Sequence, residues 1–247
     1  PGHVAKATAI RDMMEGALTL AGGLATGLGP LPAGRPKSLI EVEGVPFIRL
    51  QLDLLKRNGI RRAVLAVGHL AEAIEAAVGG GARFGIAVRY SHDGPARLGT
   101  GGAAMRALPM LGSPFFVLYG DSYLTCDYRA VARRFEAVPG AEGLMTAFRN
   151  EGRWGASNLR FEDGRILKYD KADRDPAMRH IDYGLNILTR EAFAGFPAGA
   201  EFDLSAVFQR LLARGSLAAC EVPERFYEIG SHEGLADLSA YLREKGA

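Results

Sequence analysis

Short apolar runs alternating with helical patterns constrain the fold of this chain more than any other feature. Runs at residues 17–21, 63–67, 86–90 and 115–119 have the length and apolar content of buried strands. Between them one helix is predicted with Pro46 near its first turn and Gly59 just beyond its end. Another is predicted over 70–78, closed by Gly79-Gly80-Gly81. Strand–helix–strand units of this kind build a largely parallel sheet.

The second half is less regular. A strand is predicted over 143–148, and residues 158–161 and 165–169 flank Asp163-Gly164. That dipeptide signals a tight hairpin, because both turn positions favour positive φ. A strand at 183–188 precedes a helix in which Leu204, Val207, Phe208, Leu211 and Leu212 recur at helical spacing. Asp203 is its expected N-cap and Gly215 its stop, and Ser231 is expected to cap a final helix to about Glu244. The 247 residues show no internal repeat and no dividing linker. One α/β domain with β-rich insertions is therefore expected over 15–247, after an extension at 1–14. Met13 or Met14 is the expected natural start.

Composition excludes several function classes. The chain is 48% hydrophobic and 23% charged, with a net charge of +2 and no basic run, so no nucleic-acid partner is expected. No apolar stretch approaches the roughly 18 residues of a membrane span. Residues 1–14 lack the apolar core of a secretory signal, which points to a cytoplasmic protein. Cys126 and Cys220 lie far apart, form no CxxC pair and read as reduced thiols. The five histidines, His3, His69, His92, His180 and His232, have no metal-ligand spacing and read as surface or structural.

The first predicted strand runs into Gly22-Gly23 and a Gly/Pro-rich loop ending at Lys37. Such a loop suits phosphate, because successive backbone N–H groups can face one anion. Two familiar versions fail on their residues. Gly27-Leu-Gly29-Pro-Leu-Pro32 breaks the dinucleotide fingerprint at its last position. Gly29 to Gly34 has P-loop spacing but continues Arg35-Pro36, so Lys37 arrives too late.

The longer string from Leu20 through Ala-Gly-Gly to Arg35-Pro36-Lys37 resembles the signature loop of the sugar-1-phosphate nucleotidyltransferases. The resemblance continues through Leu98-Gly-Thr-Gly-Gly102, Gly120-Asp121, Tyr169-Asp170-Lys171 and Phe226-Tyr-Glu228-Ile-Gly-Ser231, over about residues 16–244. Within the family it is nearest to the short heptose 1-phosphate guanylyltransferase-like enzymes, judged by Leu-Gly-Thr-Gly-Gly and the lack of a C-terminal β-helix. It implies a Rossmann-like three-layer α/β/α domain of the GT-A-like type, with a mostly parallel mixed sheet and β-hairpin insertions.

The resemblance also implies roles for residues. Leu20, Ala21, Gly22 and Gly23 would present backbone to the nucleotide, and Lys37 would contact its phosphates. Gly99, Thr100, Gly101 and Gly102 would line the nucleobase, small residues suiting a base that lies close to backbone. Asp121 follows an apolar strand, at the strand end where open α/β sheets bind ligands. With Glu228, which stands where the family has Asp, it would hold Mg²⁺. Gly155, Asp170 and Tyr183 would face the sugar, and Lys171 would hold the sugar phosphate.

Lys37, Asp121 and Lys171 form the implied catalytic set. The implied substrates are an NTP, with GTP or UTP favoured, and a sugar 1-phosphate; homo-oligomerisation is compatible with the family. The sugar phosphate would attack the α-phosphorus and release pyrophosphate. Its nucleophile is already anionic, so the protein's task is to position and neutralise two polyanions. One departure keeps an alternative open: the family has Arg where this chain has Gly27, and often where it has Gly29. Losing the first arginine would remove charge stabilisation of the leaving group. Either Arg35 substitutes, or catalysis is slow, or the chain is a nucleotide-sugar-binding or regulatory protein without turnover.

Overall fold

Parallel strands covered on both faces read as unbroken apolar runs, and β1 (Gly16–Leu20) shows why. Ala17 packs into the core cluster on one side of the sheet, while Leu18 and Leu20 pack into the cluster on the other. The structure is a computed structural model that describes residues 16–23, 36–173 and 175–246. The extension at 1–14 and the loop bearing Gly27, Gly29 and Arg35 lie outside the described residues.

After β1 the chain forms a two-residue pair, β2 (Glu41–Val42) and β3 (Val45–Pro46), then α1 (Phe47–Arg57), β4 (Arg62–Val67), α2 (Ala71–Val78) and β5 (Ala87–His92). Next come α3 (Gly99–Ala107), β6 (Phe115–Tyr119), β7 (Ser122–Leu124), α4 (Tyr128–Glu136) and β8 (Gly143–Arg149). The hairpin β9 (Leu159–Glu162) and β10 (Arg165–Tyr169) turns at Asp163-Gly164, both at positive φ as expected. The remaining elements are β11 (His180–Asp182), β12 (Leu185–Leu188), α5 (Ser205–Ala213), β13 (Leu217–Glu221), β14 (Phe226–Glu228) and α6 (His232–Lys245).

The main sheet has ten strands in the order β10-β9-β11-β8-β12-β6-β1-β4-β5, with β13 paired to β8. β6, β1, β4 and β5 are mutually parallel. β12 joins β6 antiparallel and makes the sheet mixed. Helices α1, α2 and α4 cover one face, and α3 and α5 the other. The expected three layers are therefore present. A third cluster joins α6 to α1 and to the β7–β14 pair through Phe47, Leu54, Tyr123, Ile229, Leu238 and Leu242. Among the described residues no helix is long and apolar enough to cross a membrane.

Two local features bear on the site. The Gly99–Gly102 stretch forms the first turn of α3. The strand expected over 183–188 starts only at Leu185, as β12: β11 and β12 pair with β8 on either side of Tyr183-Gly184, where Gly184 has φ 99°.

Candidate functional site

The C-terminal ends of β1, β4 and β6 open onto a cavity of about 610 Å³, the place where open α/β sheets bind ligands. Leu20, Ala21, Gly22 and Gly23 line it where β1 ends, and Tyr119, Gly120 and Asp121 where β6 ends. The two ends approach closely, with Gly120 N–H donating to Leu20 O at 3.0 Å. A β-carbon on Gly120 would sit 2.6 Å from Ala21 Cα, so only glycine fits there and Asp121 is delivered to the rim. From beneath, the buried Gln51 of α1 donates through Nε2 to Tyr119 O (2.9 Å) and Ser122 O (2.8 Å). These bonds clamp both sides of the Gly120-Asp121 turn. Sequence reasoning missed Gln51, whose only local signal is an amide on the apolar face of a helix.

Lys37 reaches Asp121 Oδ2 at 2.7 Å, the lysine side chain only 13% exposed and the aspartate 37%. Glu228 is brought beside this pair by the antiparallel β7–β14 register, which sets Glu228 opposite Ser122. Ile229 N–H donates to Asp121 O at 3.0 Å. A β-carbon on Gly230 would collide with Glu228 Oε2 and lie 3.1 Å from Lys37 Nζ, so the three charged groups share one small region. The Glu228 carboxylate accepts from Gly230 N–H and, at 2.7 Å, from Ser231 Oγ, and Ser231 caps α6 as expected. Among the described residues no group of three or more His, Cys, Asp or Glu side chains forms a self-sufficient metal cage. Asp121 and Glu228 are a two-carboxylate set, which suits a hard cation completed by phosphate oxygens.

The opposite wall is the segment from Asp93 to Thr100. Gly99 and Thr100 line the cavity, whereas Gly101 and Gly102 are buried. Their smallness serves the protein rather than the base. A β-carbon on Gly101 would strike the Phe202 ring, and one on Gly102 would lie 2.5 Å from Ala200 O. Phe202 is held there by Gly101 N–H to Phe202 O (2.9 Å) and Phe202 N–H to Leu98 O (3.0 Å). Asp93 also lines the cavity, its Oδ2 3.1 Å from the β-carbon position of Gly68. Burial raises its carboxyl above the ordinary range, against the opposing charges of Arg106 and His92. Sequence reasoning did not single out Asp93.

The sugar-side expectations divide. Lys171 does not itself line the cavity but stands near Tyr119, which does: its Nζ lies 5.7 Å from the centre of the Tyr119 ring and donates to Asp203 Oδ1 at 3.0 Å. Asp170 instead folds onto its own turn, Oδ1 accepting from Ala172 N–H (2.8 Å) and Asp173 N–H (3.1 Å). Tyr183, expected in the sugar pocket, is 2% exposed, and its hydroxyl accepts from Cys126 N–H at 3.2 Å. Its ring packs near Phe148 and Phe226 in the core, because the break before β12 turns it inward. Gly155 sits at φ 88° with its carbonyl accepting from the fully buried Asn150 at 2.8 Å, and it does not line the cavity. Near Lys171 lies the half-buried Asp182, whose carboxyl is raised by desolvation against hydrogen bonds from Asn186 and Gly184 and the charge of Lys171.

A D-glycero-alpha-D-manno-heptose 1-phosphate guanylyltransferase of Campylobacter jejuni is 27% identical over 217 residues, covering 88% of this chain and 95% of that protein. An N-acetylmuramate alpha-1-phosphate uridylyltransferase of Neisseria meningitidis is 35% identical over 124 residues, covering 50% and 54% respectively. The crystal structure of HddC from Yersinia pseudotuberculosis complexed with GMP-PN superimposes with a TM-score of 0.75 at 23% identity, covering 92% of this chain and 99% of that one, a likeness of fold. The nucleotidyl transferase family matches residues 16–245. This chain belongs to the nucleotidyl transferase family.

Proposed function

We propose that this protein joins a nucleoside triphosphate to a sugar 1-phosphate, forming a nucleotide sugar and releasing pyrophosphate. The observation that carries this reading is the convergence of Lys37, Asp121 and Glu228 beside the cavity at the ends of β1 and β6. A phosphoryl-transfer site needs cations and aligned donors around one polyanion, and the backbone of 20–23 with Lys37 provides them. A carboxylate has about four lone-pair positions. Asp121 and Glu228 therefore keep free positions after their bonds to the protein, and they would hold Mg²⁺. The ion would neutralise phosphate charge and stabilise the departing pyrophosphate.

The other tasks fall to the chain's own residues. Lys37 offsets the charge of the triphosphate and exchanges Asp121 for it as the nucleotide enters. Lys171 neutralises the incoming sugar phosphate, whose anionic oxygen attacks the α-phosphorus in line with the leaving pyrophosphate. No side chain is required as general base. What the site contributes is orientation and relief of repulsion between two anions.

Asp93 supports GTP as the nucleotide. Guanine offers adjacent N1–H and N2–H donors that one carboxylate accepts together, whereas uracil offers a single N3–H between two carbonyls that repel the second oxygen. The guanylyltransferase of C. jejuni, matched over 95% of its length, points the same way. With pyrophosphate release as the readout, Asp93→Asn is expected to lower kcat/KM for GTP by roughly tenfold or more, as the loss of a charge-assisted bond would, with a smaller change for UTP. Equal losses for both nucleotides would contradict the assignment of Asp93 to the base.

A further inference from the structure

Thr100 lines the nucleotide cavity and Lys171 stands on the sugar side, and one carboxylate holds both. Asp203 Oδ1 accepts from Lys171 Nζ (3.0 Å) and Ser205 N–H (2.8 Å), and Oδ2 accepts from Thr100 Oγ1 (3.0 Å). Thr100 Oγ1 in turn accepts from Leu204 N–H at 2.8 Å, so its own hydrogen is left for Asp203. Burial opposes the charge on Asp203, but hydrogen bonds from Ser205 and the ammonium of Lys171 outweigh it and bring the pKa to about 2. Asp203 is thus ionised throughout the neutral range.

The arrangement is that of a holder. Both oxygens already carry donors from the protein. The segment leading to Asp203 is sealed onto α3 by the Phe202 bonds to Gly101 and Leu98, so Thr100 and Asp203 form one body. Lys171 follows the β9–β10 hairpin and meets that body through Asp203. The Lys171 and Asp203 side chains are 43% and 51% exposed, and an exposed ion pair adds little stability. Its consequence is geometric: it selects one position for a long, flexible lysine.

We propose that Asp203 is a positioning residue that couples the two substrate sites: nucleotide packed against Thr100 fixes the Thr100–Asp203 clasp, and the clasp holds Lys171 where the sugar phosphate arrives. This rests on the assignment of Lys171 to the sugar phosphate. Coupling of this kind is reciprocal between the two ligands.

Calorimetric titration tests it, with mannose 1-phosphate or whichever sugar 1-phosphate turns over, in Mg²⁺, with and without saturating α,β-methylene-GTP. The wild type is expected to bind the sugar phosphate roughly tenfold more tightly when nucleotide is present, inside the usual range for coupled sites. Asp203→Asn and Thr100→Val are each expected to bring this ratio close to unity, and Thr100→Ser, which keeps the hydroxyl, to restore it. The ratio cancels any common loss of affinity. A purely structural Asp203 would lower stability and both affinities while leaving the ratio intact, and that result overturns the proposal, as does a wild-type ratio of unity. Lys171→Ala separates the two layers of the argument. Unchanged sugar-phosphate binding in that variant would remove the Lys171 assignment itself. Lost binding there, with the ratio preserved in Asp203→Asn, would remove only the coupling.

Discussion

At the scale of single residues, the site depends on side chains that never meet a substrate. Gln51 is 1% exposed and spends both its amide hydrogens on the carbonyls flanking Gly120-Asp121. Gln51→Leu keeps the volume and leaves those two carbonyls without their donor, at about 1–3 kcal/mol each. We expect a lowered melting temperature together with a fall in kcat that exceeds the change in KM, because Asp121 loses its fixed position. A variant with reduced stability but wild-type kcat would show that the clamp does not position Asp121. The residue scale is also where the sequence was hardest to read. Asp170 and Tyr183 stood at the right places in the motifs, yet one carboxylate closes its own turn and the other side chain points into the core. Motif position specifies where the backbone goes, whereas a side chain's direction depends on a turn or a strand break that only the folded chain displays.

At the scale of elements, the packing of α3 decides the shape of the nucleotide wall. The Gly99–Gly102 turn was legible as a motif, but its reason was not, because Ala200 and Phe202 lie some hundred positions away along the chain. Gly101→Ala would drive a methyl group into the Phe202 ring. Overpacking of this kind costs typically about 1–3 kcal/mol, so a corresponding drop in unfolding free energy by urea titration is expected. A neutral result would mean that the 200–203 segment is free to move off α3, which would also weaken the clasp built on Asp203. Helix α4 was overlooked in the sequence although its signals are local. Asp127 caps it through bonds from Arg129 and Ala130 N–H, and Tyr128, Val131, Ala132 and Phe135 form its buried stripe. By contrast, Ser231 and the Asp163-Gly164 hairpin could be read directly, since cap and turn chemistry are satisfied within a few residues.

At the scale of the whole molecule, the alternation of apolar runs with helical patterns carried the architecture, because a strand buried on both faces reads as a near-continuous apolar run. The mixed half of the sheet was less legible: β13 returns parallel to β8 and β11 breaks from β12, pairings fixed by long-range register rather than by composition. The architecture matters to function because it assembles one site from distant parts of the chain. Lys37 follows the first strand, Asp121 lies in the turn after the sixth, Glu228 ends the fourteenth, and Lys171 follows the β9–β10 hairpin. The proposed reaction of this assembly is transfer of a nucleotide to a sugar phosphate. The most direct measurement is pyrophosphate release in Mg²⁺ from GTP and UTP, each paired with heptose, mannose, glucose and N-acetylated sugar 1-phosphates, for the wild type and Asp121→Asn. Turnover with one nucleotide–sugar pair is expected, and loss of most of it, roughly a hundredfold or more in kcat, in Asp121→Asn. Silence across the panel while nucleotide still binds, or wild-type turnover by Asp121→Asn, would contradict it.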